Sequence, residues 1–391
     1  MVENKKILEF LKEISFPRST GTEGDKRVQN IIRERFSELS NGKIGEQEFF
    51  FSQIFMNGVL NLFHPLIGLL IITNIILILY NMYLLALFFS SSLFFISLFS
   101  RQIISFLQFR VHEVGHQHSA RNIWIDFDPT SETKQNIVFL AHYDSISHAL
   151  SPLIEGAGYF LGFIGGVIFS VHCIFYLFPI IFFKQPAPPT IQLFWGFIIA
   201  ILTLIELFNK KGNNSDGALD NASAVAQCYH LAHEISKNPL KNTRIILVAT
   251  GAEEWGDYGA YYFVKENPFD LSPKNSRFVI VDSIGIPEKS SIIHGIGLPM
   301  RHWSIKLENI AKKMIKEFKP PLKMRSLPPL LQIASDHIPV DKAGYEFIWF
   351  ASDSFVIHSL KDNIKVLDEV NFIQICEFIE KYVRELDYDV N

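Results

Sequence analysis

Cysteine is scarce in this chain: Cys173, Cys228 and Cys376 stand far apart among 391 residues. An odd, scattered set with no C-x-x-C pair leaves out a disulfide framework and a thiolate metal site, and it suits a reducing compartment. No long basic run occurs and the formal net charge is −4, so nothing points to nucleic acid as a partner. Internal repeats and low-complexity segments are also lacking. The N-terminal stretch has no continuous apolar core ahead of a small-residue cleavage site. It reads as two amphipathic helices around the turn Gly21-Thr22-Glu23-Gly24, so export by a cleaved leader is not expected. Charge is sparse as well: only 19% of residues are Asp, Glu, Lys or Arg, against 48% hydrophobic residues and 36 Phe. A single soluble domain seldom holds so much apolar residue, so a membrane component is expected.

Four stretches are long and apolar enough for that component: residues 59–79, 83–100, 158–183 and 191–208. A helix needs roughly 20 apolar residues to cross the hydrocarbon core. They pair as two hairpins, covering residues 54–100 and 156–209, with turns at 80–82 and 184–189. Gly158, Gly162 and Gly166 recur every fourth residue, a small-residue face suited to close helix packing or simply the glycine content of a lipid-facing helix. Glu206, near the end of the last stretch, is placed to snorkel toward the interface. An even number of spans puts the rest of the chain on one side. Arg101, Arg110, Lys210 and Lys211 flank that side, with only Lys184 opposite. The positive-inside rule then makes an integral, multi-pass protein of four spans whose remaining domain faces the cytoplasm.

That remainder, residues 1–53, 101–155 and 210–391, alternates strand and helix signals. Apolar runs at 122–127, 136–140, 244–248, 277–281 and 346–350, with an earlier strand at 43–51, read as strands. Mostly continuous in apolar character, they suit a sheet covered on both faces. Helical patterns lie at 222–236, 303–318 and 367–386. The fold class expected is α/β, a three-layer α/β/α domain with a mixed, mostly parallel sheet, interrupted by the two inserted transmembrane hairpins.

Function in such sheets gathers beyond the carboxyl ends of the strands. Those ends carry His142 and Asp144 in AHYDS, Asp220 in SDGALDNAS, Glu253 and Glu254 in GAEEWG, Asp282 in VDSIG, Asp336 in SDHIP and His358 in VIHSLKD. Carboxylates converging on one crevice repel unless cations neutralise them. Nitrogen and oxygen donors without thiolate suit a divalent metal pair, zinc first, with manganese or cobalt as alternatives. The two-residue step from His142 to Asp144 is that of a carboxylate fixing an imidazole.

From RSTGTEGDKRVQNII to the last helix, these motifs resemble, in order, the aminopeptidase Y and bacterial leucyl aminopeptidase family of co-catalytic zinc exopeptidases, to which glutaminyl cyclases are related. The resemblance implies a three-layer zinc-exopeptidase fold and two Zn2+ ions. It places His142 and Asp282 on one ion, Glu254 and His358 on the other, and Asp220 between them. Glu253 would be the general base, Asp144 would orient His142, and Asp336 would line the substrate side. The implied activity is release of the N-terminal residue from peptides; membrane-associated or hydrophobic peptides are expected as substrates because the second hairpin leaves and returns between His142 and Asp220. All the implied ligands are present, which favours a peptidase over a glutaminyl cyclase or a non-catalytic membrane scaffold. The second hairpin departs from the family, since it falls between His142 and Asp220.

A second signature competes. Residues 110–122, RVHEVGHQHSARN, contain H-E-x-x-H in His112, Glu113 and His116. On a helix this would form a membrane zinc endopeptidase, with two histidine ligands on one face and a glutamate base. A strand-like NIWIDF follows within six residues and no Gly-x-x-His extension appears. The dispersed site is therefore preferred, with His112, His116 and His118 expected on a juxtamembrane segment, solvated or forming an accessory metal site.

Overall fold

The computed structural model describes residues 2–185, 187–286, 289–328 and 334–389; Pro186, in the expected second turn, lies outside them. The chain gathers into two units by its internal contacts. One comprises Met1–Phe51, His118–Ser147 and Gly212–Asn391, the other Ser52–Gln117 and His148–Lys211.

The first unit is built on a nine-stranded sheet, its strands numbered here along the chain: β1 (Lys43–Ser52), β2 (Gln117–Phe127), β3 (Gln135–His142), β4 (Thr243–Thr250), β5 (Ser276–Asp282), β6 (Ser290–Ile296), β7 (Arg301–His302), β8 (Lys323–Leu327) and β9 (Glu346–Ser352). The order across the sheet is β1-β2-β4-β3-β5-β9-β6-β8, with β7 paired to β6. The centre, β4-β3-β5-β9, is parallel. Strand β2 runs antiparallel to β4 and β6 antiparallel to β9, so the sheet is mixed and mostly parallel at its core.

Alternate residues of the central strands point to opposite faces, as the pleat dictates. Ile137, Phe139 and Ala141 of β3 join one buried cluster, while Val138 and Leu140 join the other. The first cluster is completed by helices Val2–Ile14, Glu23–Ser37, Ser223–Lys237, Ile305–Phe318 and Glu369–Tyr388, and the second by helix Tyr258–Glu266 with Trp303 and Val340. Burial on both faces is why the strand runs are continuously apolar. Each fully buried Leu, Ile or Phe contributes about 1.5–3 kcal/mol.

Strands β6, β7 and β8 have no counterpart among the expected strands. In β6, SSIIHGI, two isoleucines stand between serines and a His-Gly pair. Edge strand β8, KMRSL, is largely polar and only partly buried. Neither supplies the apolar run that marks a covered strand.

The second unit is helical and apolar. Three of its helices, Phe55–Leu79, Pro152–Phe183 and Thr190–Phe208, are long and apolar enough to cross a membrane. Helix Tyr83–Leu98 is shorter and bends by 58° into Ser100–Gln108, so the stretch expected as a span over 83–100 ends in a sharp bend. Polar Arg101 and Gln102 follow the break and turn the last segment amphipathic. The Gly158, Gly162 and Gly166 face serves packing. A methyl group would lie 2.5 Å from Glu206 Oε1 at Gly158 and 2.6 Å from His64 at Gly162, and would meet Ser97 at Gly166. Asn74 donates at 2.8 Å to Ala86 O and to Ser90 Oγ inside this bundle, a polar tie between apolar helices. Large apolar side chains such as Leu62, Phe88, Phe175, Phe194 and Ile201 face outward.

The HEVGH stretch is not helical. Residues 109–116 form turns, with Gly115 at φ +85°, so His112 and His116 do not share a helix face. His116 is exposed, as a solvated residue should be, but His112 is buried, against expectation.

Candidate metal centre

The eight residues singled out all lie in the first unit: His142 and Asp282 end β3 and β5, Asp144, Glu253, Glu254 and His358 lie on the loops after β3, β4 and β9, Asp220 precedes helix Ser223–Lys237 and Asp336 precedes helix His337–Lys342. Asp220 presents one oxygen to each histidine: Oδ1 is 3.2 Å from His142 Nε2 and Oδ2 is 3.2 Å from His358 Nε2. His142 Nε2 also lies 3.7 Å from Glu253 Oε2 and 3.8 Å from Asp282 Oδ1. His358 Nε2 is 3.1 Å from Glu254 Oε2. Donor atoms of His142, Asp220 and Asp282 converge closely enough for one cation, and those of Asp220, Glu254 and His358 for a second.

Local structure fixes these positions. The Asp144 carboxylate accepts the backbone N–H groups of Glu253 at 3.2 Å and Glu254 at 3.3 Å, and the Thr20 hydroxyl at 3.1 Å. Its backbone oxygen lies 3.2 Å from His142 Nδ1, with Oδ1 at 3.6 Å. Asp144 therefore holds both the histidine and the Glu253-Glu254 turn. That turn begins at Ala252, in the left-handed region at φ +56°, and Ser283 and His358 lie at φ +58° and +57°. Such strain in residues with a side chain gathers at functional sites and costs on the order of 1–3 kcal/mol each.

Three residues outside the expected set hold Asp220. Asp362 accepts the N–H groups of Leu219 at 2.7 Å and Asp220 at 3.1 Å. Asn221 accepts from Ser283 N at 3.0 Å and donates to Val281 O at 3.1 Å. Arg18, fully buried, donates to the carbonyls of Phe16, Tyr143, Asp216 and Gly217. Asp362 and Asn221 sit four residues from His358 and next to Asp220 in the quoted motifs, but residue type alone does not mark a backbone clamp. Asp336 accepts from Thr250 Oγ1 at 2.5 Å.

The electrostatics are those of a cation site. Burial opposes an imidazolium at His142, yet Glu253 and its neighbouring carboxylates outweigh it and hold the ring well above the usual imidazole range. His358 is raised likewise against burial, chiefly by Glu254. Burial also opposes ionisation of Asp220, but the two imidazoles prevail and hold it below the usual carboxylate range. At Glu253 burial dominates and pushes the carboxyl well up; at Glu254 and Asp336 it raises the pKa to about 7. Among the described residues, Glu254 Oε1 and Asp336 Oδ1 are buried with no hydrogen-bond partner. Surplus buried carboxylate, imidazole nitrogens aimed inward and no thiolate fit divalent zinc.

Residues 205–383 match the family profile described as Peptidase family M28. No match was found among curated proteins. Among solved structures, a zinc aminopeptidase from Bacillus subtilis aligns with 69% of this chain at 17% identity and TM-score 0.44, and the chain spans 50% of that protein's length. A leucine aminopeptidase precursor from Bacteroides thetaiotaomicron aligns over 97% of this chain and 96% of its own, at 14% identity and TM-score 0.54. A glutaminyl cyclase from Porphyromonas gingivalis aligns over 98% of both chains at 12% identity and TM-score 0.54. At these identities the likeness is one of fold. The match over residues 205–383 is to peptidase family M28, in keeping with the zinc exopeptidases that the motifs resemble.

Proposed function

We propose that this protein is a membrane-anchored zinc aminopeptidase that removes N-terminal residues from peptides. The observation that carries the reading is Asp220 sharing its two oxygens between His142 and His358, with Glu253 3.7 Å from His142 Nε2. His142 and Asp282 would hold one zinc, Glu254 and His358 the other, and Asp220 both. When bound, such a pair polarises a scissile carbonyl and lowers the pKa of water. Glu253 takes the proton of the attacking water and returns it to the leaving amine. Asp144 keeps Glu253 in register through its carboxylate and His142 through its backbone oxygen, and Asp336 faces the substrate.

The apolar unit is the anchor. Its outward-facing Leu and Phe residues and its long helices support insertion in a bilayer, with four spans if the bent pair crosses as one. The positions of Arg101, Arg110, Lys210 and Lys211 favour a cytoplasmic catalytic unit. The chain enters the second helical insertion after Ser147 and returns at Gly212, close in sequence to His142 and Asp220. This supports action on membrane-associated or hydrophobic peptides.

The fold is shared with glutaminyl cyclases as well, so the test supplies both substrates. Purified protein with zinc is given a peptide with N-terminal leucine and one with N-terminal glutamine. Free leucine as product supports the reading; pyroglutamyl peptide without free amino acid overturns it. Comparing short soluble with lipid-anchored peptides in liposomes tests the anchor's role, and equal turnover of the two counts against it.

A further inference from the structure

Another group of metal-binding side chains lies apart from the Asp220 cluster, where β6, β7 and the following helix meet. His294 is on β6, His302 on β7 and Glu308 in the first turn of helix Ile305–Phe318. We propose that these three residues form a separate divalent-cation site, of zinc type, that clamps the β6–β7 hairpin to the helix.

The placement is rigid. Strand β6 is paired on both sides, to β9 and to β8. The hairpin register sets Gly295 opposite His302, and Trp303 N donates to His294 O at 3.1 Å. The two strands approach so closely at Gly295 that a methyl group would lie 2.5 Å from Arg301 O. Ser304 caps the helix by accepting Leu307 N at 3.3 Å, which orients its first turn and Glu308 with it.

The donors converge on one point. Glu308, only 2% exposed, turns Oε2 to both histidines, 3.2 Å from His294 Nδ1 and 2.5 Å from His302 Nδ1. Its other oxygen takes the Lys312 ammonium, so the carboxylate is held by one oxygen and offered by the other, the arrangement outer partners give a metal ligand. His294, 8% exposed, aims Nδ1 at this point, yet that nitrogen makes no hydrogen bond among the described residues. Two donors bound about 2.1 Å from a tetrahedral zinc stand roughly 3.4 Å apart, close to the His294–Glu308 separation. His302 would withdraw by about 1 Å to reach that spacing, which a ring at 36% side-chain exposure is free to do. Two imidazoles and a carboxylate leave a fourth position for water.

The full-length protein in detergent is dialysed against buffered free zinc and its metal counted, for wild type, His302→Ala and the pair His142→Ala/His358→Ala. The readout is one equivalent lost by His302→Ala relative to wild type, whatever the Asp220 cluster holds. The pair variant should keep one equivalent, and Co2+ in it should give a visible ligand-field band that vanishes when His302→Ala is added. Zinc should also raise the Tm of the pair variant, and not that of the triple variant. Unchanged metal content in folded His302→Ala, checked by circular dichroism and confirmed with His294→Gln, overturns the site; so does absence of a Co2+ band in the pair variant. Neither result bears on aminopeptidase activity, so the two proposals fail separately.

Discussion

The carboxylate of Asp362 accepts the backbone N–H of Asp220 at 3.1 Å while its other oxygen takes that of Leu219 at 2.7 Å. A residue with no place on the metal thereby aims the carboxylate that both histidines share. Asp362→Ala leaves two buried N–H groups unpaired and frees Asp220 to turn. Loss of such outer partners weakens metal binding by about 10–100-fold. Zinc affinity by chelator competition should fall by that factor, with circular dichroism unchanged.

Gly217, just ahead of Asp220, sits at φ +55°, and a methyl group there would lie 2.5 Å from Asp220 O and from Ser145 Cβ. Gly217→Ala meets both a left-handed backbone and two close neighbours. A cost of about 1–3 kcal/mol is expected, read as a lower Tm, and the Asp220 segment should lose zinc affinity with it. A variant as stable as wild type would show that the loop relaxes at no cost.

The site should load zinc more tightly as pH rises. His142 and His358 are held above the usual imidazole range by carboxylates that outweigh burial, and burial raises Glu254 to about 7. Below the ordinary imidazole value of about 6.5, both rings carry protons that zinc must displace. Through the raised range above it those protons leave, and the competition fades. Apparent affinity should increase by about tenfold per pH unit for each proton displaced. Competition titrations across roughly pH 6 to 8 measure the slope, and a flat profile contradicts the assignment of the histidines as ligands.

Much of this molecule is legible in its sequence because the central strands are buried on both faces. Runs such as Ile137–Leu140 and Ile245–Val248 carry that burial as unbroken apolar character, and the strand-end loops then collect His142, Asp220, Glu254 and His358. Strand β6 escapes because its isoleucines, Ile292, Ile293 and Ile296, are flanked by serines and interrupted by His294 and Gly295. Arg18 and Asp362 escape for a different reason. They act on backbone carbonyls and N–H groups far along the chain, and no local spacing announces such partners. HEVGH misleads in the opposite sense: the five letters fit a helix, but the chain turns there with Gly115 at positive φ. The break between Leu98 and Ser100 follows from the end of the apolar run, whose 58° bend hydropathy alone does not give.

The most direct measurement is release of an aminoacyl fluorophore by purified zinc-loaded protein, with wild type, Glu253→Gln and Glu113→Gln compared side by side. The account predicts a kcat loss of about 10²–10⁴-fold in Glu253→Gln, with zinc content retained and Glu113→Gln like wild type. Full activity in Glu253→Gln, or loss confined to Glu113→Gln, would contradict it and move the chemistry away from the Asp220 cluster.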